Sequence, residues 1–284
     1  MSGWTAQRRL VYDLAARRRF NSCAPHAFLQ NVPMSFAPTP DPTAALLAPT
    51  GRLRASINLG NPILANTDPA TGRARGVSVD LAHVLADRLG VPLDTIEFPA
   101  AARSVDAVTS GMADVGFFAI DPLRGAEIAF TGAYILIEGA YLVRDDSPCQ
   151  VNEDVDRQGT RVVVGRGSAY DLFLTRELKA ASFVRVAGAA EVVETLLGGG
   201  GGADVAGGIR QVLVDVAART PGLRVLPGRF MVIRQAMGLA RARGAAAQAA
   251  LQAFVEAMKA SGFVADAILR HGVAGATVAP RDPH

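Results

Sequence analysis

A pattern written twice along the chain most constrains what it can fold into. Leu53 to Leu59 alternates as a strand does and breaks at Gly60-Asn61-Pro62; after a turn cluster at Asp68 to Gly72, Ser78 or Asp80 opens a helix with Leu81, Val84, Leu85 and Leu89 on one face. Gly90 and Pro92 stop that helix, and Leu93 to Phe98, Ser104 to Ser110 and Asp114 to Ile120 read as strand, short helix and strand. The order then restarts: Arg161 to Gly165 is a strand, Ser168 opens a helix, Val184 to Val186 is a strand, Ala190 to Leu197 a helix and Ala203 to Ala206 a strand. A strand feeding a helix feeding a strand implies parallel pairing through right-handed crossovers, so two similar α/β halves are predicted. The apolar run Ile135 to Val143 leads from one to the other and ends at Asp145-Asp146-Ser147-Pro148. Met231 to Ala240, a helix with Leu251, Phe254, Val255 and Met258 on one stripe, and a shorter helix from Phe263 to about His271 close the pattern.

At 284 residues, half of them hydrophobic and 19% charged, the chain can bury one large core or two ordinary ones. It contains no run of the roughly 20 apolar residues that a membrane-spanning helix needs. The net charge of +3 suggests a basic protein, but residues 1–33 hold Arg8, Arg9, Arg17, Arg18 and Arg19 against Asp13, a net of +4, which leaves −1 for the remainder. A nucleic-acid partner is therefore not expected. The same leader lacks the apolar core of a secretory signal, and residues 1–50 read as a poorly ordered extension, with residues 279–284 as a frayed tail. Cys23 and Cys149, and the scattered His26, His83, His271 and His284, have no ligand spacing, so neither a disulfide framework nor a metal site is expected.

Two places suit an anion. Gly165-Arg166-Gly167-Ser168-Ala169-Tyr170 lies between a strand and a helix, where free N–H groups and the helix dipole meet, although it is neither a Walker A loop nor a nucleophile elbow. Asp121-Pro122-Leu123-Arg124 follows a parallel strand's carboxyl end, where open α/β sheets bind ligands; Arg124 is suited to grip a carboxylate, or else to close a loop on Asp121. The run Gly198 to Gly202 reads as a flexible connection, and Asp204 after it as a strand-entry residue. No paired carboxylates, nucleophile set or cofactor loop emerges, so no enzyme and no cofactor are expected.

Strand 53–59, Gly76-Val77-Ser78-Val79-Asp80, Gly111-Met112-Ala113-Asp114-Val115, Asp121-Pro122-Leu123-Arg124 and Ile128-Ala129-Phe130-Thr131 with Tyr134 together resemble the first lobe of family 3 solute-binding proteins, the amino-acid-type receptors of ABC importers. Val163 to Ser168, Ala203-Asp204-Val205 and Met258 to Phe263 continue the resemblance, which spans about residues 51–275. It implies the type II periplasmic binding protein fold, α/β in class: lobe 1 from residues 51–142 and 236–278, lobe 2 from 143–235, and a ligand cleft between them. It also implies an amino acid or small carboxylate as ligand, a permease as partner, a monomer, and a periplasmic address that the leader does not support, leaving a cytoplasmic one open. By the same resemblance Arg124 would hold the ligand carboxylate, with Gly167, Ser168, Ala169 and Tyr170 helping from the other lobe.

The chain departs from the family pattern at several points. Ala119 and Asp121 stand where small hydroxyl residues are usual, Gly208-Ile209-Arg210-Gln211 where an acid often meets the ligand ammonium, and Asn61-Pro62-Ile63-Leu64 where aromatic residues often lie. Asp121 is then the candidate for the ammonium, and Arg210 for a second positive charge. Two other readings accompany the transport one: a cyclohexadienyl dehydratase-like enzyme on the same fold, with Glu138 or Asp121 as general acid, and a cytosolic ligand-binding or sensory module.

Overall fold

The computed structural model describes residues 42–198 and 202–281. In chain order the first lobe contributes α1 (Pro42–Leu47), β1 (Leu53–Asn58), β2 (Asn66–Thr67), β3 (Ala74–Arg75), α2 (Val77–Leu89), β4 (Leu93–Phe98), α3 (Ala101–Thr109) and β5 (Val115–Ala119). The long β6 (Ile128–Arg144) leads into β7 (Arg161–Gly165), α4 (Ala169–Glu177), β8 (Ser182–Val186), α5 (Ala189–Leu196), β9 (Val205–Ile209), α6 (Arg210–Arg219) and β10 (Leu223–Val225). The chain returns through β11 (Met231–Ala240) to α7 (Gly244–Ala260), α8 (Phe263–Arg270) and β12 (Ala276–Val278).

Ten of the described strands join one mixed sheet along the path β4-β1-β5-β11-β6-β9-β7-β8, with β10 and β12 also paired to β6. β1 pairs in parallel with β4 and β5, and β7 with β8 and β9, as the strand-helix-strand pattern requires. The antiparallel β6 and β11 lie between the two parallel sets and serve both. Alternate side chains of each central strand enter different cores: Val162 and Val164 of β7 join Leu174 and Tyr141 on one face, while Val163 joins Leu142, Leu196 and Leu213 on the other. In the first lobe Leu53, Ala55 and Ile57 of β1 face a core that includes Leu81 and Leu85 of α2 and Leu251 and Val255 of α7, which places the closing helices on that lobe.

Several boundaries differ from expectation. Residues 42–48 are not loose extension: Ala44, Leu47 and Ala48 are buried, and the guanidinium of Arg243 donates to the Leu46 carbonyl. At the other end β12 adds to β6, and Ala279 is buried with its N–H on the Tyr134 carbonyl, so the ordered fold outlasts residue 278. β6 begins at Ile128 rather than Ile135, and α6 opens at Arg210 and Gln211, which were read only for their chemistry. The basic leader, the middle of the glycine run and residues 282–284 lie outside the described residues.

The same aspartate arrangement enters each half. Asp114 accepts the backbone N–H of Arg54 at 3.0 Å while its own N–H donates to the Arg54 carbonyl at 2.8 Å. Asp204 does the same with Arg161, at 2.8 and 2.9 Å. Each aspartate thus fixes the start of its lobe's first strand, which accounts for Asp204 as a strand-entry residue. In the first lobe the buried Asp114 also receives Arg54 and Arg243 at 2.8 and 3.1 Å.

Candidate functional site

The carboxyl ends of β1 and β5 in one lobe face the β7–α4 turn of the other. α4 starts there because Ser168, in extended conformation, accepts the Asp171 N–H on its hydroxyl at 3.1 Å. Asp171 reaches back to accept the Gly167 N–H at 2.8 Å and holds Arg185 at 2.8 Å, so the turn is braced by a buried carboxylate. Gly167 sits at a φ of 68°, and a Cβ there would stand 3.1 Å from the side chain of Ala102 in the opposite lobe. Among the described acceptors none takes the N–H groups of Ala169 and Tyr170, the first two of α4.

Arg124 stands opposite, at the start of a short turn after β5. It is buried, and its guanidinium donates to the Ala119 carbonyl at 3.1 Å and, across the cleft, to the Gly167 carbonyl at 2.8 Å. Burial lowers its pKa and the nearby charge of Asp121 opposes that shift. Two carbonyls satisfy two of five donors, and no ion pair to Arg124 forms among the described residues. A buried guanidinium without a carboxylate, facing free helix N–H groups, is an anion-binding arrangement.

Between these groups lies a cavity of about 60 Å³. Arg124, Ala119, Asn61, Ser168, Ala169 and Tyr170 all line it, so the structure gathers most of the residues singled out in sequence. Asn61 is buried, and its Oδ1 has no hydrogen-bond partner among the described residues. Arg166 of the predicted anion turn lines it too, as do Asn58, Phe117 and Gln235, which escaped reading as site residues. Gln235 carried a usable signal: it is a polar residue within the apolar run Met231 to Ala240, and it is buried there beside Ala119.

Three expectations are corrected by this placement. Gly167 faces Arg124 with its carbonyl and spends its N–H on Asp171, so it offers the ligand no donor from that group. Asp121 neither pairs with Arg124 nor lines the cavity; it is buried, accepts the Leu123 N–H at 2.9 Å and forms a 2.8 Å ion pair with Arg176 of α4. Arg210 lies in a different cavity, of about 520 Å³, where its guanidinium donates to the Gly228 carbonyl and sits 3.8 Å from Glu138, which Arg229 holds at 2.5 Å. That arrangement also removes Glu138 from the cleft. An apolar cavity of about 330 Å³ adjoins the first and shares Gly60, Tyr170 and Ile209 with it.

Among the described residues no group of three His, Cys, Asp or Glu is placed to hold a metal ion. No described helix is long and apolar enough to cross a membrane.

No curated protein sequence matches the chain. In structure it is similar to a mutant of ArgBP from T. maritima at 20% identity and a TM-score of 0.68, over 81% of this chain and 99% of that one. It is similar to the amino acid ABC transporter substrate-binding protein AbpA from Streptococcus pneumoniae, bound to L-arginine, at 18% identity and a TM-score of 0.67, over 79% and 96%. It is also similar to the ancestral amino acid-binding protein AncCDT-1, a precursor of cyclohexadienyl dehydratase, at 19% identity and a TM-score of 0.66, over 80% and 98%. Residues 61–272 match the model of the bacterial extracellular solute-binding proteins, family 3, most of the chain and both sides of the cleft, and the chain belongs to that family.

Proposed function

We propose that the protein is the substrate-binding subunit of an ABC importer, working as a monomer outside the cytoplasm. It takes an amino acid or closely related small carboxylate between its lobes and closes on it. The observation that carries this reading is Arg124: a buried guanidinium with spare donors, on the cavity wall opposite the free N–H groups of Ala169 and Tyr170. The ligand carboxylate would bridge the two lobes and favour the closed population by its differential affinity for it. The lobes, residues 42–142 with 236–278 and residues 143–235, would swing about β6 and β11.

Family membership and the likeness to an amino acid ABC transporter component support the importer role. The binding reading is supported over the dehydratase one by the placement of the two candidate general acids: Glu138 is held by Arg229 away from the cavity and Asp121 pairs with Arg176. Thermal-shift screening against amino acids, hydroxy acids, keto acids and dicarboxylates is expected to find a carboxylate that stabilises the protein without being consumed. Arg124→Ala should weaken that ligand by about 2–5 kcal/mol, ~30-fold or more in Kd. A ligand retained at full affinity by the variant would refute the carboxylate contact.

A further inference from the structure

The cavity beside Arg124 is small, but it does not end the cleft. Tyr170 and Ile209 stand between it and the larger apolar cavity, whose walls are Val192 and Val193 of α5 and Val212, Leu213 and Val216 of α6. Among the described residues no aspartate or glutamate lines either cavity, while Arg124 and Arg166 line the first and Arg219 the second. A ligand with a cationic tail would therefore lose hydration beside arginines, with no carboxylate to meet it. An apolar tail would instead bury surface against valines and a leucine. Near the head group the buried Asn61 Oδ1 is a neutral acceptor lacking a donor, which a hydroxyl or ammonium on the carbon next to the carboxylate would supply.

We infer that the ligand is an α-amino or α-hydroxy acid with an apolar body: the carboxylate on Arg124, the neighbouring donor on Asn61 Oδ1, and the tail past Tyr170 into the cavity between α5 and α6. This rests on the carboxylate reading above and adds an apolar tail, unlike that of the L-arginine to which one neighbour is bound.

Isothermal titration of the full chain with L-leucine, its 2-hydroxy analogue, L-alanine, L-arginine and L-glutamate tests it. Leucine or its hydroxy analogue is expected to bind at least tenfold tighter than alanine, arginine or glutamate. Val212→Trp and Val193→Trp, which fill the apolar cavity from two different helices, should each cut the leucine-to-alanine affinity ratio tenfold or more, with the fold checked by circular dichroism. Arginine or glutamate binding tightest, or an unchanged ratio in both variants, would overturn this inference and leave the carboxylate reading standing. Failure of all five to bind would overturn this inference, and failure of every acid in the thermal-shift screen as well would overturn both.

Discussion

Asp156 shows how much one carboxylate can organise. Its oxygens accept the N–H groups of Lys179, Ala180 and Ala181 at 2.7–3.0 Å, pinning the segment that leads from α4 into β8. Those bonds to the charged form hold its pKa below the usual aspartate value. A depressed carboxylate pKa means stability that is complete above the unfolded value near ~3.9 and is lost as pH falls through the folded one. Asp156→Asn should accordingly lower the melting temperature at pH 7, and the gap to the unsubstituted protein should shrink as melts are taken toward pH 3. Nothing in the local sequence flags this residue, because the three N–H groups it serves lie more than twenty positions away. Arg124 was legible, since an arginine after a parallel strand's carboxyl end has a predictable address. The partners of Asp121 and Arg210 were not, because each depended on an arginine or glutamate brought in by another element.

At the level of elements, periodicity found what is long and regular: α2, α4, α7 and the strands of both parallel sets. It missed α6, of whose side chains only Leu213 is buried, and it missed the three-residue strands β10 and β12, whose pairing with β6 is tertiary in origin. The start of the fold was misplaced for the same reason. α1 is six residues long in a proline-rich stretch and owes its place to packing on α7. Leu47, 1% exposed, anchors it. Leu47→Ala should cost about 2–5 kcal/mol in urea unfolding, a loss that a loose extension would not show. Where backbones approach closely, glycine is required: at Gly76, φ 130°, a Cβ would lie 2.4 Å from the Leu64 carbonyl oxygen, which explains why α2 opens without a side-chain cap.

For the whole molecule, two polar contacts among the described residues tie the lobes across the cleft: Arg124 on the Gly167 carbonyl, and the Asp121–Arg176 ion pair. The second joins a carboxylate of 4% exposure to an arginine of 36%, so removing the arginine leaves a buried charge unpaired only while the lobes are together. Arg176→Ala should therefore raise the unliganded radius of gyration in small-angle scattering and weaken ligand binding several-fold, without removing any group that lines the cavity. The two-lobed plan itself was readable from the repeated strand-helix order. That Asp121 and Arg210 turn to other partners was not, because those pairings depend on how the elements meet.

The pairing of Gly139 in β6 with Met231 in β11 has a practical side. Everything that builds the far wall of the cleft leaves and re-enters through neighbouring strands, so it forms a cassette with adjacent ends. Transplanting that cassette between relatives would exchange the surface that reads the ligand's tail while keeping the scaffold that carries Arg124. Biosensor engineers would have a natural splice point there.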